Sequence, residues 1–166
     1  MLPGAIFIVA VASLALNLSY IIKQFQHIAP LSYIAGKIDR DAYIARYRPE
    51  HTTYRYVNKH LPDEAKILGL FLGNRRYYCD RDLRFGNNLF RQIIKGADSA
   101  TTTLAQLQKR GFTHVLIRFD LFNRWAAKQF DDNEKKILAA FTRAYLNSLI
   151  SADGYGLFEL GLFPSE

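Results

Sequence analysis

Residues 2–22 run without a charged side chain until Lys23, a length beyond that of a usual buried core helix. At 1.5 Å per residue, about 20 apolar residues cross the ~30 Å hydrocarbon core of a bilayer. Residues 6–17 (IFIVAVASLALN) keep only Ser13 and Asn17 as polar members, and Pro3 falls where a first helical turn tolerates it. A cleaved signal peptide would set a basic segment before a shorter apolar run, and no Lys or Arg precedes this one. The expected organisation is a retained transmembrane helix over residues 1–26, a juxtamembrane connector over 27–51 and a soluble domain over 52–166.

The remaining chain, about 140 residues, is one domain's worth and long enough to bury a core. The chain carries 22 Lys and Arg against 15 Asp and Glu, a formal charge of +7, with much of the excess close behind the span. Lys23, Lys37, Arg40, Arg46, Arg48, Arg55 and Lys59 face only Asp39, Asp41 and Glu50 there. Such a collar suits anionic lipid headgroups or a phosphorylated lipid substrate, and equally an ordinary solvated basic face. Nucleic acid is not expected as a partner, since no binding motif accompanies the charge and the chain is tethered. Cys79 stands alone, which excludes an internal disulfide and a metal site built on paired cysteines.

Behind the collar, residues 39–43 can start a short helix, and Tyr54, Val57 and Leu61 recur at helical spacing up to Pro62. Residues 65–72 (AKILGLFL) suit a buried strand closed by Gly73-Asn74. Leu104 and Leu107 mark a helix face, Gly111 fits the left-handed position that ends it, and Phe112 can pack back on Leu107. A strand follows over 113–119. Residues 131–150 read as a long helix with Asp131 and Glu134 as a capping pair, and residues 155–160 as a closing strand after Gly154. Helix and strand alternate, so the expected fold class is α/β: one N-terminal transmembrane helix, then a small, helix-flanked, mostly parallel sheet.

The densest polar constellation is residues 73–83 (GNRRYYCDRDL), at the carboxyl end of the first expected strand, where open α/β sheets place ligands. Arg75, Arg76 and Arg81 offer guanidinium forks for phosphate, Tyr77 and Tyr78 offer rings for a sugar or isoprenoid, and Asp80 and Asp82 accept from hydroxyls. The competing reading is a short strand over 77–79 with Arg–Asp pairs fixing a loop; strand alternation, which sends neighbours to opposite faces, favours it. Phe122 and Trp125, near Arg118 and Arg124, suit either a bilayer interface or the packed face of a short helix, and their spacing favours the helix. His27, His51, His60 and His114 lack any ligand spacing, and His114 sits inside an apolar strand pattern as a structural histidine. No GxSxG, P-loop or GxGxxG is present, and neither Asp80 with Asp82 nor Asp131 with Asp132 identifies an acid–base pair. No catalytic residue, metal or cofactor is expected.

Taken in order, the span, the landmarks Leu61-Pro62, residues 65–68, Tyr77-Tyr78, Arg81 and the helix–strand unit at 111–116 resemble the carboxyl-terminal extracytoplasmic region of C-type multi-pass glycosyltransferases. These enzymes take sugars from polyprenyl-phosphate donors, as the protein mannosyltransferase and aminoarabinose transferase relatives do. The resemblance implies a soluble domain outside the cytoplasm, whereas the basic collar after the span would place it inside. With no charged segment before the span, that tendency has little contrast to act on, and the resemblance prevails. Such transferases carry their catalytic acid in an early loop, to which nothing here corresponds. The expectation is an accessory or terminal domain, a separately encoded subunit or a remnant, working with a multi-pass membrane protein. The alternative is a non-enzymatic single-pass subunit that assembles another membrane complex.

Overall fold

The computed structural model describes residues 2–161, with side chains from residue 4 onward; Met1 and residues 162–166, the ends of the expected segments, lie outside the described residues. Two compact units meet in sequence between Arg46 and Tyr47.

The first unit opens with helix α1, Leu2–Ile28. Within it, Gly4–Ile28 contains an 18-residue window with a mean hydropathy of 2.3 and no burial, a length and composition that suit a membrane span or a signal sequence alike. Ala29, with φ of 43°, breaks the helix, and Pro30 begins the short α2, Pro30–Ile34. Helix α3, Arg40–Tyr47, starts where the sequence indicates, with the Ala42 N–H donating to Asp39 Oδ1 at 2.8 Å. The Tyr43 hydroxyl donates to the Ile28 carbonyl at 3.0 Å, and its ring stacks on Tyr33.

The second unit is α/β. Helix α4, Glu50–His60, precedes strand β1, Lys66–Leu70; after a 3-10 turn come β2, Asp82–Phe85, and helices α5, Asn87–Gly96, and α6, Ala100–Lys109. Strand β3, His114–Arg118, leads to α7, Phe119–Gln129, and α8, Asp132–Tyr145, and the hairpin of β4, Leu146–Ala152, and β5, Tyr155–Leu160, follows. The strands lie in the order β2-β1-β3-β5-β4. β1, β2 and β3 are mutually parallel, and β5 runs against both β3 and β4, so four of the five strands point one way.

Side-chain alternation along the strands makes two cores. Leu68, Leu70, Val115 and Ile117 face one side, against Phe90 and Ile94 of α5, Leu107 of α6, Phe122 of α7 and Phe141 of α8. Ile67, Leu116 and Leu157 face the other, against Tyr54 and Val57 of α4. Burial on both faces is why residues 65–72 and 113–119 read as continuous apolar runs. Asp131 and Glu134 form the expected capping box, and Gly111 takes the expected left-handed φ of 79°. Phe122 is buried and Trp125 packs against the same core, the helical reading of that pair.

One long helix over 131–150 is corrected. Its apolar rhythm continues through Leu149, yet α8 stops at Tyr145 because the following residues pair with β5 as an edge strand, with a bulge between Ser148 and Ile150. The strand over 77–79 is also corrected: Arg76–Tyr78 is a 3-10 turn closed by the Cys79 N–H on the Arg76 carbonyl at 3.0 Å.

His114 is a buried structural residue whose Nδ1 lies 2.8 Å from Thr113 Oγ1. Burial holds its pKa below 6.5, against a smaller opposing pull from Glu159. The unfolded chain then binds a proton before the native one, so stability is complete above pH 6.5 and falls as pH drops below it. Urea midpoints of the full chain in detergent micelles should fall over that acid range, and His114→Gln should flatten the fall; an unchanged slope would contradict this.

Candidate functional site

A cleft of roughly 330 Å³ opens at the carboxyl ends of β1 and β3, walled by Arg48, Glu50, Arg75, Arg118, Asp153 and Tyr155. Each side chain arrives by a separate local cause. Glu50 lies in the first turn of α4, where an anion is favoured by the helix dipole. It has no exposed surface, and its Oε1 accepts from Arg75 Nη1 at 3.0 Å. Arg75 is delivered by the loop leaving β1, which turns through positive φ at Phe71 and Gly73 and is pinned by the Phe71 N–H donating to Asn87 Oδ1 at 2.9 Å.

Arg118 ends β3 and forks onto Asp120 at 2.7 and 3.1 Å, an arrangement that holds the Asp120 carboxyl below its ordinary range. Asp153-Gly154 forms the two-residue β4–β5 turn, both residues at positive φ, as the hairpin twist requires. Thr52 Oγ1 donates to Asp153 Oδ2 at 2.9 Å, tying α4 to that turn. The Tyr155 ring lies under the Arg118 guanidinium; burial raises its phenol pKa, and the Glu50 carboxylate adds to the effect. Burial also pushes the Tyr54 phenol far up. Among the described residues, Glu50 Oε2, Thr53 Oγ1 and the Tyr54 hydroxyl are buried without a hydrogen-bond partner, an unusual concentration for the start of one helix.

Of the residues singled out in 73–83, Arg75 alone lines this cleft. Arg76 is exposed and reaches Asp82 at 3.9 Å. Tyr77 is 86% exposed, and Tyr78 packs edge-on against His51. The Asp80 N–H donates to Asn58 Oδ1 at 2.9 Å. Arg81 is a clamp: its Nε and Nη2 donate to the Leu61 carbonyl at 3.0 and 2.8 Å, and Nη2 also reaches the Asn58 carbonyl at 3.1 Å, fastening the end of α4. Glu50, Arg118, Asp153 and Tyr155 escape sequence reasoning because no local spacing links them. The Asp-Gly pair before residues 155–160 is the one signal that marks the hairpin turn. Among the described residues, no three His, Cys, Asp or Glu side chains gather to hold a metal ion.

No family model matches the chain, and no curated protein matches it. Among solved structures it is similar to the C-terminal globular domain of oligosaccharyltransferase from Archaeoglobus fulgidus, with a TM-score of 0.43 and 10% sequence identity over 66% of this chain and 95% of that one. That distance assigns neither a family nor an activity to this chain.

The geometry separates Arg81 from Arg76. Arg81→Ala should lower unfolding free energy by about 2 kcal/mol, since its bonds carry a charge and their loss leaves the part-buried Leu61 and Asn58 carbonyls without them. Arg76→Ala should change it by less than about 0.5 kcal/mol. Urea titration of both variants in micelles checks the pair, and equal losses would contradict the assignment.

Proposed function

We propose that this chain is a membrane-anchored accessory domain serving polyprenyl-phosphate-sugar-dependent glycosyl transfer. Nothing in residues 1–166 resembles the catalytic acidic loop, and on this reading the chain acts beside a multi-pass membrane protein with its α/β domain outside the cytoplasm. The observation that carries the reading is the polar cleft at the carboxyl ends of β1 and β3, in a domain that follows an apolar helix long enough to anchor it. The order of sequence landmarks adds support. Leu61-Pro62 ends α4, residues 65–68 enter β1, Tyr77-Tyr78 and Arg81 form the turn and clamp after it, and residues 111–116 lead into β3 beside β1. The cleft offers guanidinium donors and carboxylate acceptors for positioning a polar ligand, and the basic collar offers charge to lipid phosphate.

The alternative, a subunit that assembles another membrane complex, gains support from Arg75 and Arg81, both engaged in holding the domain together. Mild-detergent purification from the native membrane, with mass spectrometry and an assay of polyprenyl-phosphate-sugar turnover, separates the two. A multi-pass companion with turnover is expected; an unrelated complex without turnover would favour assembly. Orientation has its own test. Tyr77→Cys places a thiol at an 86% exposed position, while native Cys79 is buried. A membrane-impermeant maleimide should label the variant from outside intact cells stripped of any outer envelope, and labelling only after lysis would place the domain inside.

A further inference from the structure

We propose that a second pocket, on the sheet face opposite α4, is a binding site for a small organic anion, a single anionic head on a compact apolar body. This site rests on neither the transferase reading nor its alternative. It has a volume of roughly 380 Å³ and lies against β1 at Lys66 and Leu68, between β2 and the chain that leaves α6. Strand alternation puts it there. Lys66 and Leu68 share the face of the larger core, and the parallel register sets Arg84 of β2 beside Leu68. Arg110, which ends α6, brings a third cation to the rim.

The cations set the sign of the ligand. Lys66 is half-buried, where a lysine is ordinarily paired, yet its Nζ donates to the Arg110 carbonyl at 2.7 Å and stands 5.4 Å from the centre of the Phe112 ring, with no ion pair among the described residues. Two of its three donors stay available. Arg110 is exposed and spends Nη1 on neutral partners, the Gln106 carbonyl and Oε1, both at 2.7 Å. The carboxylate nearest in register, Asp82 opposite Lys66, is engaged by Arg84 at 3.2 Å and by Arg76 at 3.9 Å, and it is not part of the pocket wall. A cationic ligand would meet three like charges, and a neutral one would draw nothing from them. An anion gains from all three, and guanidinium and ammonium groups accept a carboxylate or a phosphate alike.

The apolar surface sets the rest of the ligand. Leu68 and Phe112 are buried and form a floor beside the half-buried Leu89. Phe85 stands at the same pocket 41% exposed, and with Tyr77 it makes up the exposed large apolar side chains of the second unit among the described residues. An inorganic anion would leave that surface to water, whereas a ring or short chain under the anionic head would cover it. A volume of roughly 380 Å³ is at the small end of ligand cavities, which suits such a body and is too small for a long acyl or isoprenoid chain.

The test is a titration of the isotope-labelled full chain in nonionic detergent micelles, read by amide chemical shifts. Phenylacetate, hexanoate and phenyl phosphate are the probes; phenylacetamide lacks the charge, phenethylamine reverses it, and acetate and inorganic phosphate lack the apolar body. At least one probe anion should give saturable shifts centred on Lys66, Leu68 and Phe112, and comparing phenylacetate with phenyl phosphate identifies the preferred head. The amide, the amine and the bare anions should each bind at least about tenfold more weakly, the worth of one charge-assisted hydrogen bond or a few buried carbons. Lys66→Met keeps the length of the side chain and should weaken binding about tenfold. Arg84→Gln, at an exposed position, should weaken it about threefold, while Arg143→Ala, on the last turn of α8 beside the start of α6, should leave it unchanged. Circular dichroism reports folding, and Arg84→Gln decides the outcome if Lys66→Met unfolds. The proposal would be overturned by the absence of saturable shifts up to the solubility limits, by equal binding of phenylacetamide or of the bare anions, by shifts centred on Arg75 and Arg118 instead, or by indifference to a folded Lys66→Met or to Arg84→Gln.

Discussion

A carboxylate removed from water must be paired, and Glu50 meets that requirement with a guanidinium from 25 residues downstream. The contact between α4 and the loop leaving β1 is therefore more than packing. Losing Arg75 would strand a buried charge, and breaking one partner of such a pair costs far more than the pair contributes in net stability. Arg81 fastens the other end of α4 through the Leu61 and Asn58 carbonyls. Two arginines thus hold a helix whose central residues Tyr54 and Val57 fill the smaller core.

The cleft follows from that anchoring together with the sheet order. Parallel strands β1 and β3 end on the same side, bringing the Arg75 loop and Arg118 to one edge. Strand β5 inserts between β3 and β4 in the opposite direction, so its hairpin turn at Asp153-Gly154 arrives at that edge as well. Three segments distant in sequence supply charged groups to one small volume, with α4 supplying Glu50. Beside them, polar atoms at the start of α4 have no hydrogen-bond partner among the described residues, a departure from core satisfaction of the kind found at functional sites.

What was legible in the sequence was what local chemistry decides. The apolar run of α1, the Asp131 and Glu134 capping box, Gly111 at the end of α6 and the doubly buried strands β1 and β3 each announce themselves within a few residues. The misread elements are those that tertiary pairing decides. β4 follows α8 directly, Tyr145 being succeeded by Leu146 with no Gly or Pro at the junction, and Leu149 keeps the helical rhythm, so only the partner strand ends the helix. β2 is a charged edge strand in which Leu83 alone is fully buried, too little for an apolar signal. The same logic governs the site. Residues 73–83 look rich in ligand chemistry, yet Arg81, Asp80 and Tyr78 serve the surrounding fold, and Arg75 gains its significance from Glu50, which the sequence presents as one acid in a basic collar.

The central claim is that Glu50 and Arg75 act as one unit, and a double-mutant cycle tests it most directly. Unfolding free energies of the full chain in micelles would be measured for Glu50→Gln, Arg75→Met and the double variant. A coupling energy of about 1 kcal/mol or more is predicted for a contact of 3.0 Å with one partner fully buried. A coupling within about 0.3 kcal/mol of zero, the additivity of independent sites, would contradict the account.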